Sequence, residues 1–166
     1  MVITPLLLWF HIFAAVGWLG AAMVFGMLIG PTIGTLTPGA RAEVVLKLFP
    51  KYVRYAKAFG LITVIFGLAL VLDIGNGDMS VFSPSTSFGL YITTGAVLAL
   101  VAVVMAFAVI GPSANRVCRL TEEMVKNSSP PSPELSKAAT RLRVSSLVGL
   151  AVLVLVLVFM VAGVAG

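Results

Sequence analysis

The single histidine, His11, is the residue of this sequence best suited to chemistry. It lies inside a long apolar run, where an unpaired polar nitrogen would cost several kcal/mol, so it is a candidate functional residue. Ala15, Trp18, Ala22 and Phe25 share its face at helical spacing. Two small residues between a histidine and two aromatic residues would let a flat macrocycle approach the helix. The pattern predicts a metal or haem ligand, and the alternative is a neutral imidazole hydrogen-bonded to a neighbouring helix.

A haem b group in a four-helix bundle often takes two axial ligands, and His11 supplies only one. The second could be a methionine, a lysine, water or a residue of another subunit, or the position could stay open. Met160 matches His11 in depth, because each lies six residues, or about 9 Å, from the same boundary. Met23, Met27 and Met105 lie in the opposite halves of their apolar runs. We therefore predict His11 and Met160 as the ligand pair, with Met160 as packing material the alternative.

Further polar side chains are expected at the same end of the helices as His11. Asp73 closes the second apolar run, and Tyr91, Thr93 and Thr94 open the third. Each could hydrogen-bond to His11, to haem propionates or to a metal. Tyr91 fits an interfacial aromatic belt equally well, and Asp73 fits a helix end in water. The predicted cofactor site has His11 and Met160 as ligands, surrounded by Ala15, Trp18 and Tyr91.

Residue patterns typical of soluble enzymes are absent from the sequence. It has no pair of carboxylates within an apolar run, no second histidine, no phosphate-binding loop and no Cys/His spacing typical of zinc. Transporters of charged solutes usually carry polar or broken helices at the bilayer midplane. The centres of these runs are almost wholly apolar, which argues against transport of a charged solute. Whether the protein is an enzyme stays open.

The elements that must position His11 are four apolar runs at about residues 5–30, 58–74, 88–111 and 144–166. At about 1.5 Å per residue, each is long enough, or nearly so, to cross a hydrocarbon core of about 30 Å. With 166 residues there is room for one such domain and little else. The fold class predicted is all-α, an integral membrane four-helix bundle.

All eleven Lys and Arg residues fall at 41–57 and 116–143, between the apolar runs. Because cytoplasmic loops collect Lys and Arg, both stretches are predicted to lie inside, and both termini outside, a multi-pass protein of the cell membrane. Orientation and anionic lipid headgroups then account for the net charge of +5, and no nucleic-acid partner is expected. The single cysteine, Cys118, is predicted to be a reduced thiol on the inner surface.

The two basic stretches differ in their predicted structure. Apolar positions at helical spacing in residues 41–49 predict a short amphipathic helix, which lies in the inner headgroup layer between spans one and two and ends near Pro50. The second stretch is predicted to extend helix three, to break at residues 127–133 and to resume as a helix at 134–143.

Glycines in the first run predict close helix packing. Gly26, Gly30 and Gly34 recur at four-residue spacing, which lets two helices in lipid approach closely. Such a crossing serves either the bundle itself or contact with another chain, in a homodimer or a larger membrane complex.

The opening run His11-Ile-Phe-Ala-Ala-Val-Gly-Trp18-Leu-Gly20 resembles the first helix of the copper-resistance D (CopD) family, in which a histidine precedes Trp-x-Gly by about two turns. Arg141-Leu-Arg143 before a last helix that contains Met160 is similar too. A weaker similarity is to HemJ-type membrane protoporphyrinogen oxidase, although this chain has Met27-Leu-Ile-Gly30-Pro31 where that enzyme has Leu-Pro-Arg and a second histidine. The resemblance implies a four-helix bundle in which His11 holds haem b or, alternatively, copper.

These features predict a membrane protein that binds haem b and acts in electron transfer or as a redox accessory. One competing interpretation is a structural subunit of a larger, respiratory-type membrane complex, in which the apolar helices contact partners and His11 makes one hydrogen bond. A copper-handling membrane protein is the other.

Overall fold

A computed structural model describes residues 3–165, apart from the side chain of Val164, and this part of the chain is helical with no β-strand. Four long helices follow one another: α1 (Ile3–Thr35), α2 (Pro38–Ile74), α3 (Ser87–Lys126) and α4 (Pro133–Ala165). A short 3-10 helix, Met79–Phe82, lies between α2 and α3. The prediction of an all-α four-helix bundle is confirmed.

Successive helices are antiparallel. Helix α1 packs along α2 and α3 along α4, while contacts of α2 with α3 and of α1 with α4 close the bundle. All Lys and Arg residues consequently lie at one end, here called the basic end. Residues 3 and 165 and the connection between α2 and α3 lie at the other end, here called the termini end.

The outside of the bundle is apolar along the middle of all four helices. Each helix has a stretch long and apolar enough to cross a membrane, and fewer than a third of the residues in each stretch are buried. Leu28, Val104 and Val158 are each more than half exposed. Such a surface is stable against lipid rather than water, and the helices satisfy their own backbone hydrogen bonds. The chain is therefore a multi-pass membrane protein.

The predicted short helix that ends near Pro50 is wrong, because α2 continues through Pro50 to Ile74. Proline removes one intrahelical hydrogen bond and normally kinks or ends a helix. Here Phe49 and Val53, on either side of Pro50, are both buried in one cluster with residues of α1 and α3. This burial holds the backbone helical, so the amphipathic segment is the first half of α2 and not a separate element between spans one and two.

The predicted behaviour of the second basic stretch is confirmed. Helix α3 continues as far as Lys126, residues 127–132 are not helical, and α4 begins at Pro133. The Ser132 hydroxyl accepts a hydrogen bond of 3.1 Å from the Leu135 backbone N–H, which satisfies a donor at the start of α4. The basic segment 133–143 thus joins the last apolar run in one continuous helix.

A buried cluster joins the four helices at the basic end. Its buried members are Phe25, Val45, Phe49, Val53, Ala114, Val117, Leu120, Ala138 and Leu142. Here α3 has an apolar face toward this cluster and charged residues on its outer face, as in a helix of a water-soluble bundle. The bundle therefore changes from lipid-facing to water-facing along its length.

Helices α1 and α3 widen at matching places. Val24–Ile29 and Ala106–Ile110 are π-helical, and each segment is followed by Gly-Pro, at Gly30 and at Gly111. Proline disfavours the α conformation of the residue before it and lacks an N–H group, so the turn ahead of it relaxes to a longer hydrogen bond. The Gly30 N–H donates to Phe25 O, and the Gly111 N–H donates to Ala106 O. The two halves of the bundle therefore share a local backbone motif.

Candidate functional site

The His11 imidazole is bound to the neighbouring helix. Its Nδ1 lies 2.9 Å from the backbone oxygen of Thr63 in α2. Because a carbonyl oxygen can only accept, Nδ1 carries the proton and donates it. In the neutral ring, Nε2 then keeps a free lone pair and can accept a hydrogen bond or bind a metal. The hydrogen bond to a neighbouring carbonyl, which the sequence allowed as an alternative to ligation, is present.

A glycine makes this position of the ring possible. A Cβ atom added at Gly67 would lie 2.8 Å from His11 Cε1 and 2.9 Å from Nδ1. The Thr63 side chain is buried and donates its own hydroxyl to Phe59 O at 2.7 Å, which holds it within α2. The imidazole therefore has its Cε1 and Nδ1 atoms nearest to Gly67, where α2 carries no side chain.

Helix register puts His11 and Met160 at one depth. A second buried cluster takes one residue from each helix, and these four residues therefore lie at a similar depth. They are Trp18, Ala56, Ala102 and Leu153. Seven residues span nearly two helical turns, or about 10.5 Å. Counting seven residues from each cluster member toward the termini end therefore gives a residue on the same face of its helix. The positions reached are His11, Thr63, Gly95 and Met160, here called the His11 layer.

Contacts within each helix pair support this register. His11 of α1 bonds to Thr63 of α2, and the Met160 thioether of α4 lies against Gly95 of α3. A Cβ atom at Gly95 would be 2.9 Å from Met160 Cε and 3.4 Å from Sδ. The layer thus holds one imidazole and one thioether, each packed beside a glycine of the adjacent helix.

The other methionines considered for the site lie elsewhere. Met23 and Met27 are exposed on the lipid-facing side of α1, and Met105 lies beyond Ala102 toward the basic end. Of these methionines, Met160 alone is placed in the His11 layer by the helix register. Ligation of iron by Met160 is not tested by these contacts and stays a prediction.

The remaining predicted site residues have separate roles in packing. Trp18 is buried below the His11 layer, where its indole ring lies against Gly60, and a Cβ atom there would be 2.9 Å from the ring. Ala15 is partly exposed. Tyr91 lies one turn from Gly95, with its ring centre 6.2 Å from that of Phe159. Trp18 thus lies on the basic-end side of the layer as an apolar group, whereas Tyr91 lies on its termini-end side.

The polar side chains near the termini end have hydrogen-bond partners other than His11. The Thr4 hydroxyl donates to Asp73 Oδ2 at 2.5 Å, which links the ends of α1 and α2. Thr93 donates to Phe82 O at 2.9 Å and Thr94 to Leu90 O at 2.8 Å. The hydroxyl groups of Thr93 and Thr94 therefore do not donate to the imidazole, which was one of the roles that the sequence left open for them.

Residues 3–165 contain no group of three or more His, Cys, Asp or Glu side chains close enough to hold a metal ion. His11 and Met160 are the nitrogen and sulfur donors that the side chains of the His11 layer supply. Thr63, Gly67 and Gly95 were missed by the sequence reasoning. Small residues at helical spacing in an apolar run would have marked faces of close approach, but not which helix they meet.

Cys118 is less accessible than predicted. It is partly buried in α3, and its thiol donates to Val45 O at 3.6 Å. Burial raises the pKa of the Cys118 thiol. Less of the reactive thiolate is therefore present at neutral pH than on an open surface, and the thiol is expected to react slowly.

Comparison with known proteins adds no assignment: no protein-family model, no curated protein and no solved structure matches the chain.

The contact of His11 with Gly67 leads to a prediction about stability. The variant Gly67→Ala should lower the free energy of unfolding by about 1–3 kcal/mol, because the new methyl group displaces the imidazole. In a His11→Ala background the same change should cost little, so the two effects are non-additive. Unfolding in detergent, followed by circular dichroism, measures all four proteins of this cycle.

Gly20→Ala is the matched control for the Gly67 substitution. An added Cβ at Gly20 meets nothing within 4 Å, so this change should be neutral or slightly stabilising. If Gly67→Ala costs the same with and without His11, the imidazole does not occupy the space beside Gly67.

Proposed function

We propose that the chain is a membrane protein that binds haem b through His11 and acts in electron transfer or as a redox accessory. The observation that carries the proposal is the hydrogen bond from His11 Nδ1 to Thr63 O. Metal-binding histidines usually donate their other ring N–H to a carbonyl or carboxylate, which fixes the tautomer and the ring orientation. The same bond here leaves Nε2 free, so the imidazole is preorganised as a ligand.

Met160 is the second ligand in this proposal. It shares the depth and the core-facing side of its helix with His11, and Gly67 and Gly95 keep bulky side chains away from both donors. A histidine and methionine pair is a known axial combination that raises the reduction potential of haem. When bound, haem supplies one-electron chemistry. The chain contributes the two donors, and buried Trp18 excludes water from the basic-end side of the layer.

The orientation proposed is that the basic end faces the cytoplasm and the termini end faces outward. All eleven Lys and Arg residues support this, because cytoplasmic segments of membrane proteins carry the excess of basic residues. The His11 layer would then lie in the outer half of the cell membrane. Electron exchange would take place with a partner on that side or within the bilayer.

A structural subunit is the second candidate, and an aromatic surface on α1 and α2 favours it. Trp9 and Phe13 stack with ring centres 5.2 Å apart, and Tyr55 and Phe59 stack at 4.1 Å. Trp9, Phe13 and Tyr55 are exposed, so this surface is open to lipid or to another chain. In this interpretation the His11 hydrogen bond only satisfies a buried polar group.

Copper is the weaker alternative ligand for the same pair of side chains. Imidazole and thioether donors both suit copper, but His11 and Met160 would supply only two of them. A copper site would need further donors from another chain or from water.

The proposed haem ligand is tested by His11→Ala. Protein purified from cells supplied with haem should show a Soret band, and the variant should lose most of it because the chain offers no other imidazole. The measurement is the visible spectrum per mole of protein, and added imidazole should restore part of the band. A variant with the full wild-type spectrum would eliminate His11 as a ligand, and a colourless wild type would favour the structural subunit.

The role of Met160 is tested by Met160→Leu, with Met105→Leu as the matched control. Leucine keeps the apolar volume, so the bundle should fold, yet loss of the thioether should lower the reduction potential. The variant should also bind carbon monoxide more readily than the wild type, whereas the control should change neither property. A potential that is the same in Met160→Leu and wild type would show that Met160 only packs against Gly95.

The orientation is tested by labelling introduced cysteines in a Cys118→Ala background. Ser85, between α2 and α3, and Ser129, between α3 and α4, are both exposed. A membrane-impermeant thiol reagent should label Ser85→Cys in intact cells and Ser129→Cys only after permeabilisation. The reverse pattern would place the His11 layer in the inner half of the membrane.

A further inference from the structure

A groove at the basic end runs between α3 and α4. It consists of two adjoining cavities of about 420 Å³ and 610 Å³, which share Val109, Lys137 and Arg141. Arg116 and Ser113 line it from α3, and Val144 lines it from α4. One surface therefore combines apolar side chains with three cationic ones.

The three cations of the groove have no protein partner in the described part of the chain. Its ion pairs are Lys47 with Glu43 and Arg119 with Glu123, both within single helices. Glu134 lines the groove but forms no salt bridge there. Arg116, Lys137 and Arg141 make no side-chain hydrogen bond within residues 3–165 either, whereas Arg41 donates to backbone carbonyls. With three cations and one carboxylate, the groove has an excess of two positive charges.

The position of the groove along the helices matches the boundary of the hydrocarbon core. Val109 and Val144 belong to the apolar runs, and Arg141 lies three residues, or about 4.5 Å, beyond Val144. Arg116 and Lys137 each lie seven residues, or about 10 Å, beyond the valine of their own helix. The interfacial layer on each side of a bilayer is about 5–8 Å thick, so the cations reach through it.

A polar group within the groove adds a hydrogen-bond donor. Ser113 is 9% exposed and lines the cavity. A phosphate oxygen could accept from this hydroxyl and from the two guanidinium groups, whose N–H donors match phosphate in pairs. The groove is thus built for a phosphate attached to an apolar chain.

We infer that this groove between α3 and α4 binds the headgroup of an anionic phospholipid, with the phosphate among Arg116, Lys137 and Arg141 and an acyl chain along Val109 and Val144. The occupant is a lipid because the groove opens onto the lipid-facing surface of both helices. It is anionic because basic pockets between membrane helices concentrate anionic headgroups. The inference is independent of the haem proposal.

The test uses the full-length protein in a neutral detergent, titrated with phosphatidylglycerol and with phosphatidylcholine of the same acyl chains. Native mass spectrometry measures bound lipid per protein. Wild type should bind phosphatidylglycerol with clear preference. The triple variant Arg116→Gln, Lys137→Gln, Arg141→Gln should bind it at least about tenfold more weakly, because each basic residue near the membrane surface contributes to anionic lipid binding.

Lys51→Gln, Arg54→Gln and Lys126→Gln together form the matched control, since they remove the same charge from exposed positions outside the groove. This control should bind phosphatidylglycerol within about twofold of wild type. An equal loss in the control would overturn the inference, because net charge alone would explain the binding. Equal binding of phosphatidylcholine to wild type would overturn it as well.

A second variant, Val109→Trp, blocks the groove without changing the charge. It should also weaken binding of phosphatidylglycerol, and unchanged binding would mean that the lipid lies elsewhere. Glycerol 3-phosphate and inorganic phosphate distinguish a lipid from a soluble anion. If either displaces the lipid at comparable concentration, the groove is a site for free phosphate compounds and the inference fails.

Discussion

Lipid supplies almost no hydrophobic force between helices, so a membrane bundle depends on how closely its helices can approach. In this protein the close approaches occur at glycines, each of which faces a large side chain of the adjacent helix. Gly60 faces Trp18, Gly67 faces His11 and Gly95 faces Met160. Dispersion contacts accumulate along these faces, and the side chains beside them are fixed in position. The His11 layer depends on this packing, because the imidazole reaches the Thr63 carbonyl only where α2 has no Cβ atom.

Two environments divide the molecule along its length. Apolar residues dominate the outside at the termini end and middle, whereas the basic end has a buried apolar cluster under charged faces. The boundary between them carries the π-helical turns and the groove between α3 and α4. The proposed haem site and the inferred lipid site lie on opposite sides of the bilayer midplane. The two proposals are therefore independent of each other, and one can fail without the other.

His11 illustrates how one hydrogen bond fits two functions. The bond to Thr63 removes the cost of an unpaired nitrogen in an apolar setting, which is all that a structural residue requires. The same bond also fixes the tautomer in which Nε2 can bind iron. What favours ligation over simple packing is the rest of the layer, where a thioether lies at the same depth and glycines keep other side chains away.

The amino-acid sequence by itself determined the four helices, their antiparallel order and the extension of α3 to Lys126, because length, hydropathy and the positions of Lys and Arg are local properties of the chain. It also predicted that His11 and Met160 share a depth. The tertiary structure decided the continuation of α2 through Pro50, since burial of Phe49 and Val53 against other helices outweighs the local preference of proline. It alone decided that Thr63, and not Asp73 or a hydroxyl, is the partner of His11. Which faces of two helices meet depends on packing between residues that are far apart in the sequence, and no local pattern encodes it.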